Sequence, residues 1–124
     1  MATRVLVVDD AVFMRSTIKE IFTSNGFEIA GEAANGIEAV EKYRELKPDL
    51  VTMDIVMPYK NGIEATREIV RENKNANVII CSALGQEALV TEAIEAGATD
   101  FIVKPFRQEN VIQVAKKALA IIRH

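Results

Sequence analysis

Short runs of β-branched and apolar residues alternate along this chain with longer segments whose apolar positions recur at helical spacing. The runs are Val5–Val8, Phe27–Ala33, Leu50–Met53, Val78–Cys81 and Phe101–Val103. Between them, Met14, Ile18 and Ile21 fall at i, i+4 and i+7, and Val40, Tyr43 and Leu46 at i, i+3 and i+6. Ile63, Thr66, Ile69 and Val70 form a third stripe, and Val90, Ala93 and Ile94 a fourth. Val111, Val114, Ala115, Ala118 and Ile122 form the last. Alternation between short apolar runs and a period of about 3.6 residues predicts βαβ units on a parallel sheet. The turn residues agree. Asn25-Gly26 and Gly97 stand where left-handed caps place glycine. Asn35-Gly36 separates the second strand from the second helix, Pro48 and Pro58 fall in loops, and Pro105 closes the fifth strand. The pattern predicts a doubly wound α/β domain, (βα)5, with a five-stranded parallel sheet and one domain over residues 1–124. The first, third, fourth and fifth strands read as buried on both faces. The second alternates Phe27 and Ile29 with Glu28 and Ala30, which predicts an edge.

Composition narrows the function classes. The chain has 124 residues, 49% hydrophobic and 27% charged, which suits one domain with a real core. A net charge of −3 and a pI near 5.2 leave no general basic footprint for nucleic acid. The longest purely apolar run, Ala118–Ile122, is far short of the ~20 residues of a membrane span. The start, Met1 to Arg4 followed by four apolar residues and two aspartates, is not a signal peptide. With a single cysteine, Cys81, that fits a reducing compartment, a cytoplasmic protein is expected. The single histidine is the last residue, His124, which excludes a Ser-His, Cys-His or multi-histidine metal site.

The residues after the strands carry the chemistry. The first strand ends in Asp9-Asp10, the third in Asp54, the fourth in Ser82 and the fifth in Lys104-Pro105. In an open parallel sheet the carboxyl ends of the strands face one crevice, where ligands bind. Taken singly, each aspartate could be a helix cap or turn residue, Ser82 a helix-approach residue and Lys104 a solvated charge. Capping does not explain two adjacent acids, or acids at matching ends of neighbouring strands. Neighbouring strands lie about 5 Å apart, where two carboxylates repel by roughly 3 kcal/mol at an effective dielectric near 20. A hard divalent cation relieves this, and Mg²⁺ needs few carboxylates while keeping waters and phosphate oxygens. Acids, a metal, a lysine and a hydroxyl together suit a phosphoryl group, with a carboxylate as nucleophile. No glycine-rich phosphate cradle is present, which disfavours a nucleotide.

These motifs closely resemble those of response-regulator receiver domains, in particular the chemotaxis branch of that family. The matching residues are Asp9-Asp10 after Val5–Val8, and Asp54 within Asp54-Ile55-Val56-Met57-Pro58 with Gly62 following. Ser82-Ala83 matches the hydroxyl position, Phe101 the aromatic switch position and Lys104-Pro105-Phe106 the lysine loop. The resemblance implies a flavodoxin-like fold with strand order 2-1-3-4-5. It implies that Asp54 accepts the phosphoryl group. It implies that Asp10, Asp54 and the Val56 backbone carbonyl hold Mg²⁺, with Asp9 acting through the metal's water. It further implies that Lys104 pairs with Asp54 or its phosphate, that Ser82 donates to a phosphoryl oxygen, that Ser82 and Phe101 form the switch, and that Lys104-Pro105 is cis. Phe13-Met14-Arg15 resembles the chemotaxis branch, and helix-one packing accounts equally for Phe13 and Met14. Departures exist too. Phe101 lacks the hydroxyl of a tyrosine, Ser82 lacks the methyl of a threonine, and Val56 and Leu84 place apolar side chains beside the site of hydrolysis.

Weaker features remain. Cys81 reads as a small buried residue. Lys116, Lys117 and Arg123 read as a solvated basic face. Ile112 and Leu119 lie off the core stripe of the fifth helix and could belong to a partner surface. The resemblance implies a stand-alone response regulator of a two-component chemotaxis system. It would be phosphorylated by a histidine kinase of the chemotaxis (CheA-like) type and would act as a monomer. Its output would be a downstream motor or adaptor protein bound through the helix 4–strand 5–helix 5 face, with a phosphatase as a further partner and neither nucleic acid nor membrane involved. Such a chain supports its own phosphotransfer and autodephosphorylation without being a turnover enzyme. A single-domain phosphorelay intermediate is the alternative. A dehalogenase-type phosphatase would want Asp-x-Asp and a cap insertion. An FMN binder would want a hydroxyl- and glycine-rich first loop in place of Asp9-Asp10.

Overall fold

Side chains alternate across each strand, and that alternation divides the core in two. The computed structural model describes residues 2–121, so Ile122, Arg123 and His124 lie outside the described residues. The elements run β1 (Arg4–Val8), α1 (Val12–Thr23), β2 (Glu28–Ala33), α2 (Gly36–Leu46), β3 (Leu50–Asp54), α3 (Gly62–Glu72), β4 (Val78–Ser82), α4 (Glu87–Glu95), β5 (Asp100–Val103) and α5 (Gln108–Leu119). All strand pairs are parallel, in the order β2-β1-β3-β4-β5. Leu6, Val8, Val51, Met53, Val78 and Ile80 face one way and pack with Val40 and Tyr43 of α2, Ile69 of α3 and Ala93 of α4. Val5, Val7, Leu50, Ile79 and Cys81 face the other way and pack with Ile18 and Phe22 of α1 and Val111 and Ala115 of α5. The doubly wound architecture and strand order are therefore as expected.

Local chemistry sets the helix starts on the site side of the sheet. Asn35 caps α2 by accepting from the Glu38 N–H at 2.9 Å. Asn61 and Glu64 form a reciprocal capping box on α3. Gly62 is required by crowding, since a Cβ there would sit 2.0 Å from the Asp54 carbonyl oxygen. The Gly62 N–H donates to the Ile55 carbonyl at 2.8 Å, which folds the β3–α3 loop back over the end of β3.

Several expectations are corrected. The fifth strand, expected to be buried on both faces, is the second edge of the sheet, and Phe101 is 41% exposed. The three-residue run Phe101–Val103 has too few alternations to distinguish an edge from an interior strand. Ile94, placed on the core stripe of α4, is exposed, because that short helix buries only Val90 and Ala93. Ile112, read as off-core, is buried, and Leu119 packs partly against the same core, so α5 uses a wider face than its stripe. Phe13 does not pack helix one; it is 80% exposed, whereas Met14 does lie against the core. In β2, Val5 pairs with Ile29 but Leu6 with Gly31, so Ala30 is an extra residue.

Candidate functional site

The strand ends bring three carboxylates and one ammonium together. Asp9 follows β1, is 1% exposed, and continues the ladder through its N–H to the Ala33 carbonyl at 3.1 Å. Its Oδ1 accepts from the Ala11 N–H at 2.9 Å, which makes it the head of a tight turn rather than a helix cap. The cap position of α1 is Ala11, with no side-chain cap. Asp54 is the last residue of β3, beside Cys81 of β4, and its Oδ1 accepts from the Ile55 N–H at 2.9 Å. Lys104 follows β5, and its N–H donates to the Ser82 carbonyl at 2.7 Å. Its Nζ reaches Asp9 Oδ2 at 3.1 Å and Asp54 Oδ1 at 3.2 Å. Asp10 is exposed, yet carboxylate oxygens of Asp9, Asp10 and Asp54 all lie within 4.8 Å of one another.

Burial raises the Asp54 carboxyl above its ordinary range, and the charge of Asp9 adds to it; Lys104 and the Ile55 N–H only partly oppose this. The Lys104 ammonium is disfavoured by burial, but Asp54 and Asp9 outweigh that and raise it. Three acids against one lysine leave the cluster short of positive charge. An all-oxygen donor set this tight fits a hard divalent cation such as Mg²⁺.

The remaining expected residues surround this cluster. Ser82 is 1% exposed at the end of β4, and its Oγ donates to the Ile102 carbonyl at 3.4 Å, tying it to β5. Val56 and Leu84 are exposed beside the site. The Lys104-Pro105 bond is cis. Between α4 and β5 opens a groove of about 440 Å³, lined by Leu84, Val90, Thr91, Ile94 and Phe101 and reaching Ser82. Cys81 is fully buried, and burial pushes its thiol well up, which suits packing and not reactivity.

Two contacts at the site were not read from the sequence. Lys104 bonds Asp9 as closely as Asp54, although those residues are 95 positions apart. Arg15 Nη1 donates to the Asp9 main-chain carbonyl at 2.7 Å. The first had a signal in the strand-end rule that already grouped these residues. The second had only the position of Arg15 one helical turn into α1.

Residues 5–116 match the response regulator receiver domain family. A chemotaxis protein CheY of Thermotoga maritima is 61% identical over 94% of this chain and 98% of its own length. The chemotaxis protein CheY of Bacillus subtilis is 56% identical, over 96% of this chain and 99% of its own. A crystal structure of a CheX-CheY-BeF3-Mg complex from Borrelia burgdorferi superposes with a TM-score of 0.91 at 44% identity, covering 96% of this chain and 90% of that one.

Proposed function

The chain belongs to the response regulator receiver domain family, as a chemotaxis response regulator of two-component signalling, and on that premise we propose how its acidic edge works. Asp54 accepts the phosphoryl group from a phosphohistidine of a chemotaxis-type (CheA-like) histidine kinase. One observation carries this. Asp54 ends the central strand with its Oδ1 against Lys104 Nζ, within 4.8 Å of the paired acids Asp9 and Asp10. In the transfer, an Asp54 carboxylate oxygen forms the new O–P bond, the N–P bond of the donor breaks, and the imidazole nitrogen keeps the electron pair and takes up a proton.

Asp10, Asp54 and the Val56 carbonyl would hold Mg²⁺, with Asp9 acting through water. When bound, the cation supplies positive charge against the phosphoryl oxygens. The Borrelia burgdorferi relative, crystallised with BeF3 and Mg, supports that reading. Lys104 offsets a further charge on the acyl phosphate. The Ser82 hydroxyl leaves the Ile102 carbonyl and donates to a phosphoryl oxygen. Its departure frees space beside β5, Phe101 turns inward more often, and the α4–β5–α5 face changes shape for a motor or adaptor protein. The phosphoryl group biases that equilibrium only by its differential contacts with the two states. Exposed Val56 and Leu84 flank the approach of hydrolytic water and set the lifetime of the phosphoryl group. We further propose a monomer acting in the cytoplasm, with self-dephosphorylation but no turnover of a free substrate. A phosphatase would be an additional partner.

The test is covalent. With acetyl phosphate and Mg²⁺, intact mass should show one added phosphoryl group on the wild type and none on Asp54→Asn. Phosphorylation of that variant at the wild-type rate would overturn the assignment.

A further inference from the structure

Asp10 is the one member of the acidic cluster that no side-chain partner holds among the described residues; its position is set by its backbone alone. That backbone is fastened from outside the site. Arg15 Nη1 donates to the Asp9 carbonyl at 2.7 Å, and this carbonyl belongs to the peptide that joins Asp9 to Asp10. The guanidinium is itself held, because its Nε donates to Glu32 Oε1 at 3.0 Å. Glu32 in turn accepts from Lys19 Nζ on its other oxygen at 2.8 Å. The Arg15 side chain is 15% exposed, so the link is shielded from water. On the opposite side, Asp9 is fixed by Lys104 at Oδ2 and the Ala11 N–H at Oδ1. The planar fork of Arg15 spans two acceptors, on β2 and on the loop after β1, which a lysine ammonium does not reproduce.

We propose that Arg15 is a positioning residue for cation binding: braced by Glu32, it sets the Asp9–Asp10 peptide and thereby aims Asp10 at the cation without touching it. This rests on the reading of the acidic cluster as the Mg²⁺ site. The sign of the effect separates positioning from charge. Removing a cation near an acidic site strengthens Mg²⁺ binding if charge alone matters. It weakens binding if Arg15 orients the ligands.

The experiment is an Mg²⁺ titration by amide chemical shifts, paired with hydrogen exchange of the Ala11 amide in metal-free protein. Arg15→Ala should weaken Mg²⁺ about tenfold despite the lost positive charge, the scale seen when groups that orient metal ligands are removed. Arg15→Lys should weaken it nearly as much while keeping the charge. Ala11 exchange should quicken in both. Glu32→Gln, which loosens the brace, should quicken Ala11 exchange by a smaller factor than the Arg15 variants do. Wild-type or tighter Mg²⁺ binding in Arg15→Ala overturns the proposal. If Asp10→Asn binds Mg²⁺ as the wild type does, the underlying site assignment fails instead, a result independent of the Arg15 variants.

Discussion

The two edge strands of the sheet are built oppositely. β2 has six residues and is joined to α1 by the Arg15–Glu32–Lys19 ion pairs. Just ahead of it, Phe27 meets Phe22 edge-on with ring centroids 5.0 Å apart. β5 has four residues, no ion pair of its own strand residues among the described residues, and Phe101 standing over an open apolar groove. The acidic site touches both edges, through Arg15 on one side and through Ser82 and Lys104 on the other. One edge braces the loop that presents the acids, and the other carries a half-exposed aromatic ring beside an open groove.

The largest test of this asymmetry is aromatic truncation. Phe22→Ala, at a fully buried side chain, should cost about 3–5 kcal/mol by urea denaturation. Phe101→Ala should cost less than about 1 kcal/mol, because its ring is 41% exposed. Equal costs would make β5 as tightly packed as the β2 side. A subtler pair is the glycines that lead into the two edges. Both have positive φ, +84° at Gly26 and +114° at Gly97. A Cβ at Gly26 meets nothing within 4 Å, so Gly26→Ala should cost about 1 kcal/mol, the price of the backbone alone. At Gly97 a Cβ would sit 2.7 Å from a Val70 methyl, and Gly97→Ala should cost about 2–3 kcal/mol.

The smallest effect lies between the edges and has the opposite sign. The Asp54 carboxyl is raised in the fold, so the folded state holds its proton to higher pH than the unfolded chain does. Its ionisation therefore removes stability as pH rises above the ordinary carboxylate range. Lys104 acts at the other end, since a raised ammonium adds stability that is lost only as pH climbs beyond the ordinary lysine range. Metal-free Asp54→Asn should be more stable than the wild type at pH 7. The gain should shrink as pH falls through the carboxylate range, measured by melting temperature against pH.

The sequence exposed most of this design where the information was periodic or local. Val5–Val8 and Val78–Cys81 read as interior strands, and the acids, Ser82 and Lys104 were found because strand ends share one crevice. Phe101 looked interior because the three residues Phe101–Val103 do not carry enough alternation to mark an edge. Ile112 and Ile94 were misplaced because a helical stripe gives the centre of a buried face and not its width. The bulge at Ala30 depends on pairing between strands, which no single run encodes. Arg15 and Glu32 are 17 positions apart and meet only after β2 has docked beside β1.

The burial of Cys81 gives the molecule a clock of its own. It is the chain's single thiol, fully enclosed at the register position beside Asp54 and Ile102. A thiol reagent in solution reaches it only when the α1 and α5 layer lifts from that face of the sheet. The rate of labelling therefore times how often α1 and α5 open away from β4, with no other cysteine adding to the signal. Comparing that rate with and without Mg²⁺ weighs how strongly events at the acidic edge hold that helix layer on the sheet.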